Sequence, residues 1–234
     1  MDTPSWFLDE LAHAGREHLD PGYVPTYDAK AGTDPAEDLA LLRAQGLTAG
    51  DTLVDLGAGT GTFALAAAPY CRRVVAVDVS PVMLARLREK AAACGVANIE
   101  CVQAGFLSYT HQGAPADFVY SRHALHHLPD FWKALALARI AAMLREGGVL
   151  VIRDLIFSCD LAETPQVVGS WLAKAPADPA GGWTRAELAT HLREEYSTFS
   201  WLLEPMLARA GFAIQAAQHS ESRTHSAYTC VKTS

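Results

Sequence analysis

The chain has 234 residues, a formal net charge of −7 and no apolar run near the ~18 residues that suggest a membrane span. Its length fits one domain with a small appendage, and 50% hydrophobic with 19% charged residues is typical of a globular protein. The acidic balance argues against broad electrostatic binding to DNA. The first residues lack the features of a signal peptide, and the scattered cysteines form no CxxC pair. We therefore expect a cytoplasmic protein with reduced thiols, no membrane span and no DNA partner.

The beginning of the chain, residues 1–47, predicts a helical region that forms a lid. Asp34 is expected to cap a helix in which Pro35 takes the first helical position. This helix is expected to run to Gln45 and to stop at Gly46.

From residue 51 onward, apolar strands alternate with helices. The predicted strands are Thr52–Leu56, Val74–Val79, Asn98–Gln103, Ala116–Ser121 and Val149–Ile152. The predicted helices between them are Phe63–Ala68, Val82–Cys94 and Pro129–Leu144. Ser80-Pro81 is expected to cap the second of these helices, and Gly147-Gly148 to stop the third. Continuous apolar strands that alternate with helices indicate a mostly parallel sheet covered on both faces.

The last third of the chain departs from this alternation. Residues 162–195 predict a helical insertion, and Phe199–Ala210 predicts a further helix. Phe212–Gln218 and His225–Val231 follow without a helix between them, so they are expected to pair as an antiparallel hairpin at the sheet edge.

A glycine-rich loop follows the first predicted strand, with glycines at positions 57, 59 and 61. Glycine permits tight turns and a close approach of the backbone to a ligand, and the helix start beyond suits an anionic group. The dinucleotide pattern needs a glycine at position 62, which is Thr62 here. Asp78 ends the second strand, where it can accept hydrogen bonds from ribose hydroxyls and would repel a ribose phosphate. The pattern predicts an adenosine cofactor with free ribose hydroxyls.

Four segments resemble the class I S-adenosylmethionine-dependent methyltransferases. They are residues 54–61 (VDLGAGTG), 75–84 (VAVDVSPVML), 117–128 (DFVYSRHALHHL) and 144–150 (LREGGVL). The resemblance is greatest to the small-molecule branch that includes the ubiquinone and menaquinone biosynthesis methyltransferases. It implies a Rossmann-like, doubly wound α/β fold with a seven-stranded, mostly parallel sheet whose last strand is antiparallel. It also implies S-adenosyl-L-methionine as cofactor and in-line methyl transfer to a small-molecule acceptor, by a monomer or a homodimer.

On this resemblance the chain is one methyltransferase domain with four parts. These are a lid (1–47), a cofactor-binding core (48–155), a helical cap (156–210) and a C-terminal β-hairpin (211–234).

The resemblance also assigns the cofactor contacts. It places these residues around the cofactor: Tyr27, Lys30, Asp55, Gly57, Ala58, Gly59, Gly61, Asp78, Val79, Met83, Gly105, Phe106, Ser121 and Arg122. Asp55 and the Gly57 carbonyl are expected at the methionine amino group, and Met83 near the adenine. Tyr27 resembles a lid residue and Lys30 is a candidate partner of the cofactor carboxylate, although a solvated turn is an equally open interpretation of both.

One position departs from the family pattern. Gly105 stands where the family often has an acid that contacts the adenine amino group. We expect the backbone of Gly105 and Phe106 to take over this contact, with the Phe106 ring packing on the adenine face.

Two histidines after the fourth strand are the candidate catalytic residues. Methyl transfer mainly requires that the nucleophile be positioned behind the methyl group. Where the nucleophile must lose a proton, His126 or His127 is the candidate general base. The alternative is that these imidazoles only pack the loop.

The predicted cap carries an aromatic set and one possible metal cluster. Trp171, Trp183, Tyr196, Phe199 and Trp201 suit either a flat apolar acceptor or an ordinary helical core. For His191, Glu194 and Glu195 we favour a solvated helix face and expect no metal.

Three other functions compete with small-molecule methylation. A nicotinamide-dependent oxidoreductase does not fit the glycine spacing. A non-catalytic S-adenosylmethionine-binding protein would have a blocked acceptor pocket. An RNA or protein methyltransferase is disfavoured by the acidic charge and by residues 121–124 (SRHA), which replace an Asn/Asp-Pro-Pro-Tyr motif.

Overall fold

A seven-stranded sheet forms the centre of the computed structural model, which describes residues 4–22, 24, 27, 30 and 34–233. The strands of the chain are β1 (Thr52–Leu56), β2 (Arg73–Asp78), β3 (Ile99–Gln103), β4 (Ala116–Arg122), β5 (Leu144–Asp154), β6 (Ile156–Phe157), β7 (Thr198–Phe199), β8 (Phe212–His219) and β9 (Ser226–Lys232). The sheet has the order β3-β2-β1-β4-β5-β9-β8, in which β9 is antiparallel to both of its neighbours. Strands β1 to β5 pair in parallel. The predicted α/β sheet and its C-terminal hairpin are therefore confirmed.

Helices cover both faces of this sheet. They are α1 (Ala36–Ala44), α2 (Thr62–Ala67), α3 (Pro81–Ala93), α4 (Asp130–Met143), α5 (Thr164–Ala173), α6 (Arg185–Glu194) and α7 (Ser200–Arg209). Every residue of β1 is buried, as expected for a central strand with apolar side chains on both faces. Val54 and Leu56 belong to the core cluster on one face together with Leu137 of α4, whereas Leu53 belongs to the other cluster with Leu84 of α3.

Most predicted boundaries lie within two residues of the observed ones, and the largest difference is at β5. This strand begins at Leu144 rather than at Val149, because Leu144 pairs with Ala116 before an irregularity in the β4–β5 register. The double glycine that was expected to end the preceding helix therefore lies inside the strand. Helix α3 begins as predicted, with the Ser80 hydroxyl accepting a hydrogen bond from the Met83 amide at 3.1 Å.

The described residues at the beginning of the chain form short helical turns before α1. Residues 4–22 contain two 3-10 turns, Leu11–His13 and Arg16–Leu19. Phe7 lies against the core, with its ring edge-on to Trp132 at a centroid distance of 5.1 Å. The rest of the predicted lid, residues 1–3, 23, 25–26, 28–29 and 31–33, lies outside the described residues.

The segment between β5 and β8 forms a cap over the carboxyl ends of the central strands. Besides α5, α6 and α7 it contains the parallel pair β6–β7, which the sequence did not predict. The buried Lys133 of α4 donates to the Asp130 carboxylate at 2.9 Å and to the Tyr196 carbonyl. The Tyr196 amide donates to the His126 carbonyl at 2.8 Å, which ties the cap to the loop after β4.

Two further properties follow from the structure. No helix in the described part of the chain has both the length and the apolarity needed to cross a membrane. All five cysteines are free thiols.

Candidate active site

The glycine loop turns sharply at the carboxyl end of β1. The amides of Gly57 and Ala58 both donate to the Val77 carbonyl at 2.8 and 3.0 Å, which joins the loop to the end of β2. Gly57 has a φ of +77°, and a Cβ there would lie 2.2 Å from the Ala124 Cβ. A side chain is thus excluded at position 57 by both backbone conformation and space.

Asp55, the last acid before this loop, is buried and faces the larger of the two cavities that border the glycine loop, which has a volume of about 590 Å³. Its Oδ2 atom has no hydrogen-bond partner among the described residues. Burial, and secondarily the charge of Asp78, raise the pKa of Asp55 to about 8. A buried carboxylate oxygen without a partner fits a cationic group of a ligand, such as an amino acid ammonium.

Asp78 ends β2 and lines the smaller cavity, which has a volume of about 80 Å³. Its two oxygens accept hydrogen bonds from the amides of Gly59 and Ser80, each at 2.8 Å. Burial raises the pKa of Asp78, while these two amides lower it. Each oxygen retains a second lone pair for a ligand hydroxyl, as expected for a carboxylate that binds a ribose.

An acid missed by the sequence prediction lies at the other end of the smaller cavity. The Glu10 carboxylate accepts hydrogen bonds from the amides of Leu107 and Ser108, both at 3.0 Å, and from the Ser108 hydroxyl at 2.8 Å. Glu10 and Gly105 both line this cavity. The family often has an acid at the position of Gly105, after β3. In this chain the carboxylate next to that position comes from Glu10, in the N-terminal segment. No local signal in the sequence connects these positions, since they are far apart along the chain.

The larger cavity lies between the sheet and the cap. Its cap side is formed by aromatic, aliphatic and polar residues, namely Trp171, Trp183, Ala186, Glu187, Leu188, Thr190, His191 and Glu195. Two residues of the predicted aromatic set, Trp171 and Trp183, therefore lie at the cavity. Phe199 packs elsewhere, against Phe157, and Trp201 is 45% exposed.

His126 is held between two carboxylates. Its Nδ1 lies 2.5 Å from Asp154 Oδ1, and its Nε2 lies 3.1 Å from Glu195 Oε2. Burial lowers the pKa of His126, but the charges and hydrogen bonds of Asp154 and Glu195 outweigh this effect and raise the pKa to about 9. Because a carboxylate lies beside each ring nitrogen, His126 without a bound ion is held as the protonated imidazolium, which cannot accept a proton as a general base. Its predicted catalytic role stays a prediction that this arrangement does not favour.

In two neighbouring histidines, the pKa is lowered instead of raised. Burial lowers the pKa of His123 and of His127 to about 3, so both rings are neutral. The Nδ1 atom of each is buried and has no hydrogen-bond partner among the described residues. His127 lines the smaller cavity, whereas His123 lines both and has a φ of +50°.

The interpretation of His191 and Glu195 as a solvated helix face is wrong. Both side chains line the larger cavity, and His191 Nδ1 forms a close contact with Glu195 Oε2. Of the three residues considered, Glu194 alone is exposed to solvent. The helical spacing was correctly recognised, but the direction in which this face points depends on the packing of the cap.

The predicted cofactor residues separate into those at the cavities and those behind them. Lining one cavity or both are Tyr27, Asp55, Gly57, Ala58, Gly59, Asp78, Val79, Met83, Gly105, Phe106 and Arg122. Gly61, Ser121 and Lys30 do not line either one. Lys30 forms an ion pair with Glu187, and its ammonium lies 4.7 Å from the centroid of the Trp183 ring. It therefore joins the lid segment to the cap, a different contact from the predicted one with the cofactor carboxylate.

The polar residues at the ends of α1 and β5 have a structural role. Asp38 is fully buried and accepts hydrogen bonds from the Tyr120 hydroxyl at 2.6 Å and from Arg122 at 2.7 Å. Arg153 lies 2.9 Å from the same carboxylate and also pairs with Glu37 at 3.0 Å. The network fixes the lid helix α1 against β4 and β5, and through Arg122 it reaches the wall of both cavities.

A parallel sheet whose first two strands end in acids around a glycine turn defines a nucleoside-binding α/β protein, because ligands bind outside the carboxyl ends of such strands. Comparison with known proteins identifies the class more closely. Residues 53–148 match a family described as a methyltransferase domain. In this region the chain is similar to class I S-adenosylmethionine-dependent methyltransferases, and its fold is theirs.

Individual relatives agree with this assignment. An uncharacterized methyltransferase of Geobacillus thermodenitrificans is 28% identical over 172 residues, which are 74% of either chain. The 27-O-demethylrifamycin SV methyltransferase of Amycolatopsis mediterranei is 30% identical over 155 residues, 64% of this chain and 56% of the relative.

A solved structure shows the same fold. The magnesium protoporphyrin IX methyltransferase of Synechocystis PCC 6803, crystallised with bound S-adenosylmethionine, superposes with a TM-score of 0.66 at 15% identity. The match covers 98% of this chain and all of the other. The resemblance to the ubiquinone and menaquinone branch stays a prediction.

Proposed function

We propose that this protein transfers the methyl group of S-adenosylmethionine to a small-molecule acceptor that binds in the larger cavity beneath the cap. The observation that carries the proposal is the continuity of this cavity with the glycine loop. Asp55 and Gly57 lie on one side of it, and Trp171 and Trp183 of the cap lie on the other. Its volume of about 590 Å³ lies within the ~300–1,000 Å³ range of small-molecule pockets.

The two cavities suggest how the cofactor divides between them. The smaller cavity offers Asp78 to the ribose, with Met83 and Phe106 on apolar walls for the adenine. The larger cavity offers the Asp55 carboxylate, whose Oδ2 atom has no hydrogen-bond partner among the described residues, to the methionine ammonium. When bound, the sulfonium supplies an activated methyl group. The residues of the larger cavity would hold the methionine end of the cofactor, and the space under the cap would take the acceptor.

The residues around the acceptor space favour positioning and exclusion of water. Trp171 and Trp183 offer apolar surfaces for a planar or aliphatic acceptor, while His126, His191 and Glu195 provide polar contacts opposite them. A confined, partly apolar pocket holds the acceptor atom at near-attack distance and limits competing water.

Macromolecular acceptors fit the charge of the chain and of the larger cavity less well than a small molecule does. An RNA acceptor would need clustered basic side chains near the opening, whereas the chain has a net charge of −7 and the cap side of the cavity carries Glu187 and Glu195. The rifamycin relative is named for a small-molecule acceptor, which agrees with the proposal.

The proposal is tested first at the cofactor site and then at the acceptor site. Calorimetric titration with S-adenosylhomocysteine should show binding by the wild type and at least about tenfold weaker binding by Asp78→Asn. This substitution replaces the carboxylate proposed to bind the ribose by a neutral amide. Asp160→Asn, at an exposed position outside both cavities, is the matched control and should bind like the wild type.

The acceptor class is then found by incubating the protein with cofactor carrying a deuterated methyl group and a fractionated cell extract. Deuterium in the small-molecule filtrate supports the proposal. Deuterium confined to the RNA or protein fraction overturns it, and so does failure of the folded protein to bind S-adenosylhomocysteine.

A further inference from the structure

Three potential metal ligands converge between the two cavities. His126 and His127 lie in a short helical turn after β4, and Glu195 follows α6 in the cap. One ligand atom of each lies within 4.8 Å of the others. His127 lines the smaller cavity, whereas His126 and Glu195 line the larger one. The cluster thus lies where the cofactor space and the acceptor space meet.

The spacing of the donor atoms suits a small cation. His126 Nε2 and Glu195 Oε2 are 3.1 Å apart. Neighbouring ligands of a metal ion with bonds of ~2.0–2.2 Å lie roughly 3–3.5 Å apart. An ion that binds both atoms therefore requires little movement of either, and a nitrogen of His127 lies within 4.8 Å of both.

His126 is oriented in the way that metal-binding histidines are. Its Nδ1 is fixed by Asp154, whose carboxylate also accepts hydrogen bonds from the amides of Leu125 at 2.8 Å and Leu155 at 2.7 Å. A carboxylate on one ring nitrogen typically directs the other nitrogen toward the metal. Here that other nitrogen faces Glu195.

The remaining contacts hold the other two ligands. His191 contacts Glu195 Oε2 through Nδ1, while its Nε2 lies 2.9 Å from the Ser197 hydroxyl. His127 has a buried Nδ1 without a hydrogen-bond partner among the described residues. This atom gains a partner if the ring binds an ion.

We propose that His126, His127 and Glu195 bind a divalent first-row transition metal at the junction of the two cavities. Two imidazoles and one carboxylate are ligands for zinc, iron, manganese or cobalt rather than for magnesium or calcium, which prefer oxygen ligands. Three protein ligands leave open positions that face the acceptor space.

The role of this ion toward the acceptor rests on the proposed function, whereas its binding does not. An acceptor oxygen or nitrogen on an open position is held next to the methyl group and loses its proton more readily. A lone pair of the acceptor forms the new bond to the methyl carbon as the carbon–sulfur bond breaks. The electron pair of the carbon–sulfur bond stays on sulfur, and the acceptor proton passes to solvent.

The experiment is titration of chelator-treated protein with Co²⁺, followed by the visible absorption bands of the bound ion, with metal analysis after dialysis against Zn²⁺. We expect one equivalent in the wild type and at least about tenfold weaker binding in Glu195→Gln. Glu194→Gln, the exposed neighbour, is the matched control and should bind like the wild type. Asp154→Asn should weaken binding about 10- to 100-fold because it disorients His126.

Calorimetry with S-adenosylhomocysteine on the same samples separates the two proposals. If the protein binds S-adenosylhomocysteine but less than a stoichiometric amount of Co²⁺, the proposed metal site is overturned and the proposed methyltransferase function is unaffected. Equal loss of Co²⁺ binding in Glu194→Gln and Glu195→Gln also overturns it. Stoichiometric Co²⁺ binding without binding of S-adenosylhomocysteine supports the metal site and contradicts the proposed cofactor site.

Discussion

The carboxylate of Glu10 occupies the space that a side chain at Gly105 would fill. A Cβ at position 105 would lie 2.3 Å from Glu10 Oε1. The same carboxylate accepts hydrogen bonds from Leu107 and Ser108, so the segment after β3 is shaped around an acid from the N-terminal segment. The lack of a side chain at Gly105 is thus a requirement of this contact.

We expect Glu10→Ala to weaken the binding of S-adenosylhomocysteine about tenfold, because the segment that forms one end of the smaller cavity loses hydrogen bonds to a charged group. Calorimetric titration measures the change. Glu146→Ala removes an equally long acid at an exposed position and should leave the affinity unchanged. Equal affinities of Glu10→Ala and the wild type would show that this contact does not shape the cofactor site.

The core of the fold was predictable because its signals are local. The apolar run of β1, the glycines after it and the acid at Asp78 follow one another within a short stretch, and each has a direct physical meaning in a parallel sheet. The Ser80 cap was recognised for the same reason, since an N-cap depends on residues three positions apart.

The contacts that shape the site were less predictable because they join distant parts of the chain. Glu10 reaches Gly105 from the N-terminal segment, and Glu195 reaches His126 from the cap. Neither pairing leaves a pattern of spacing in the sequence. Whether the face of α6 that carries His191 points to solvent or to the larger cavity likewise depends on how α6 packs, and not on its periodicity alone.

A clash distinguishes Gly57 from Gly95, although both glycines have a positive φ. We expect Gly57→Ala to lower the free energy of unfolding by about 2–4 kcal/mol, because it adds a short contact with Ala124 to the cost of a positive φ. Gly95→Ala is the matched control, since Gly95 has a similar φ of +68° but open space around its Cα. It should lose only about 1–2 kcal/mol.

Urea unfolding of both variants measures this difference. If Gly57→Ala and Gly95→Ala are equally destabilised, the Ala124 contact is relieved at no cost. S-adenosylhomocysteine binding should be weakened in Gly57→Ala alone, since Gly95 lies outside both cavities.

Two adjacent acids pair with the same arginine but differ in burial. Asp38 is fully buried, and Asp38→Asn leaves Arg122 without its carboxylate partner and Arg153 with the exposed Glu37 alone. We expect a destabilisation of about 3 kcal/mol. The Glu37 side chain is 73% exposed, so Glu37→Gln should cost less than about 1 kcal/mol although it also pairs with Arg153. Urea unfolding checks both values, and similar losses in the two variants would contradict the burial argument.

Asp55 makes cofactor binding depend on pH. Burial and the nearby charge of Asp78 raise the pKa of Asp55 to about 8 in the free protein, so below that pH its carboxyl group is mostly protonated. An ammonium ligand requires the carboxylate. The proton must therefore leave on binding, and the affinity for S-adenosylhomocysteine should rise with pH between about 6 and 8, by up to tenfold per pH unit.

The same shift has the opposite sign for the stability of the free protein. The unfolded chain releases this proton near pH 4, whereas the folded protein keeps it up to pH 8, so stability falls as pH rises through that window. Calorimetry and urea unfolding between pH 6 and 8 measure the two trends. Asp55→Asn should bind more weakly than the wild type at pH 8, and both of its profiles should be flatter. A wild-type affinity that is independent of pH over this range would show that Asp55 is already ionised before the ligand binds.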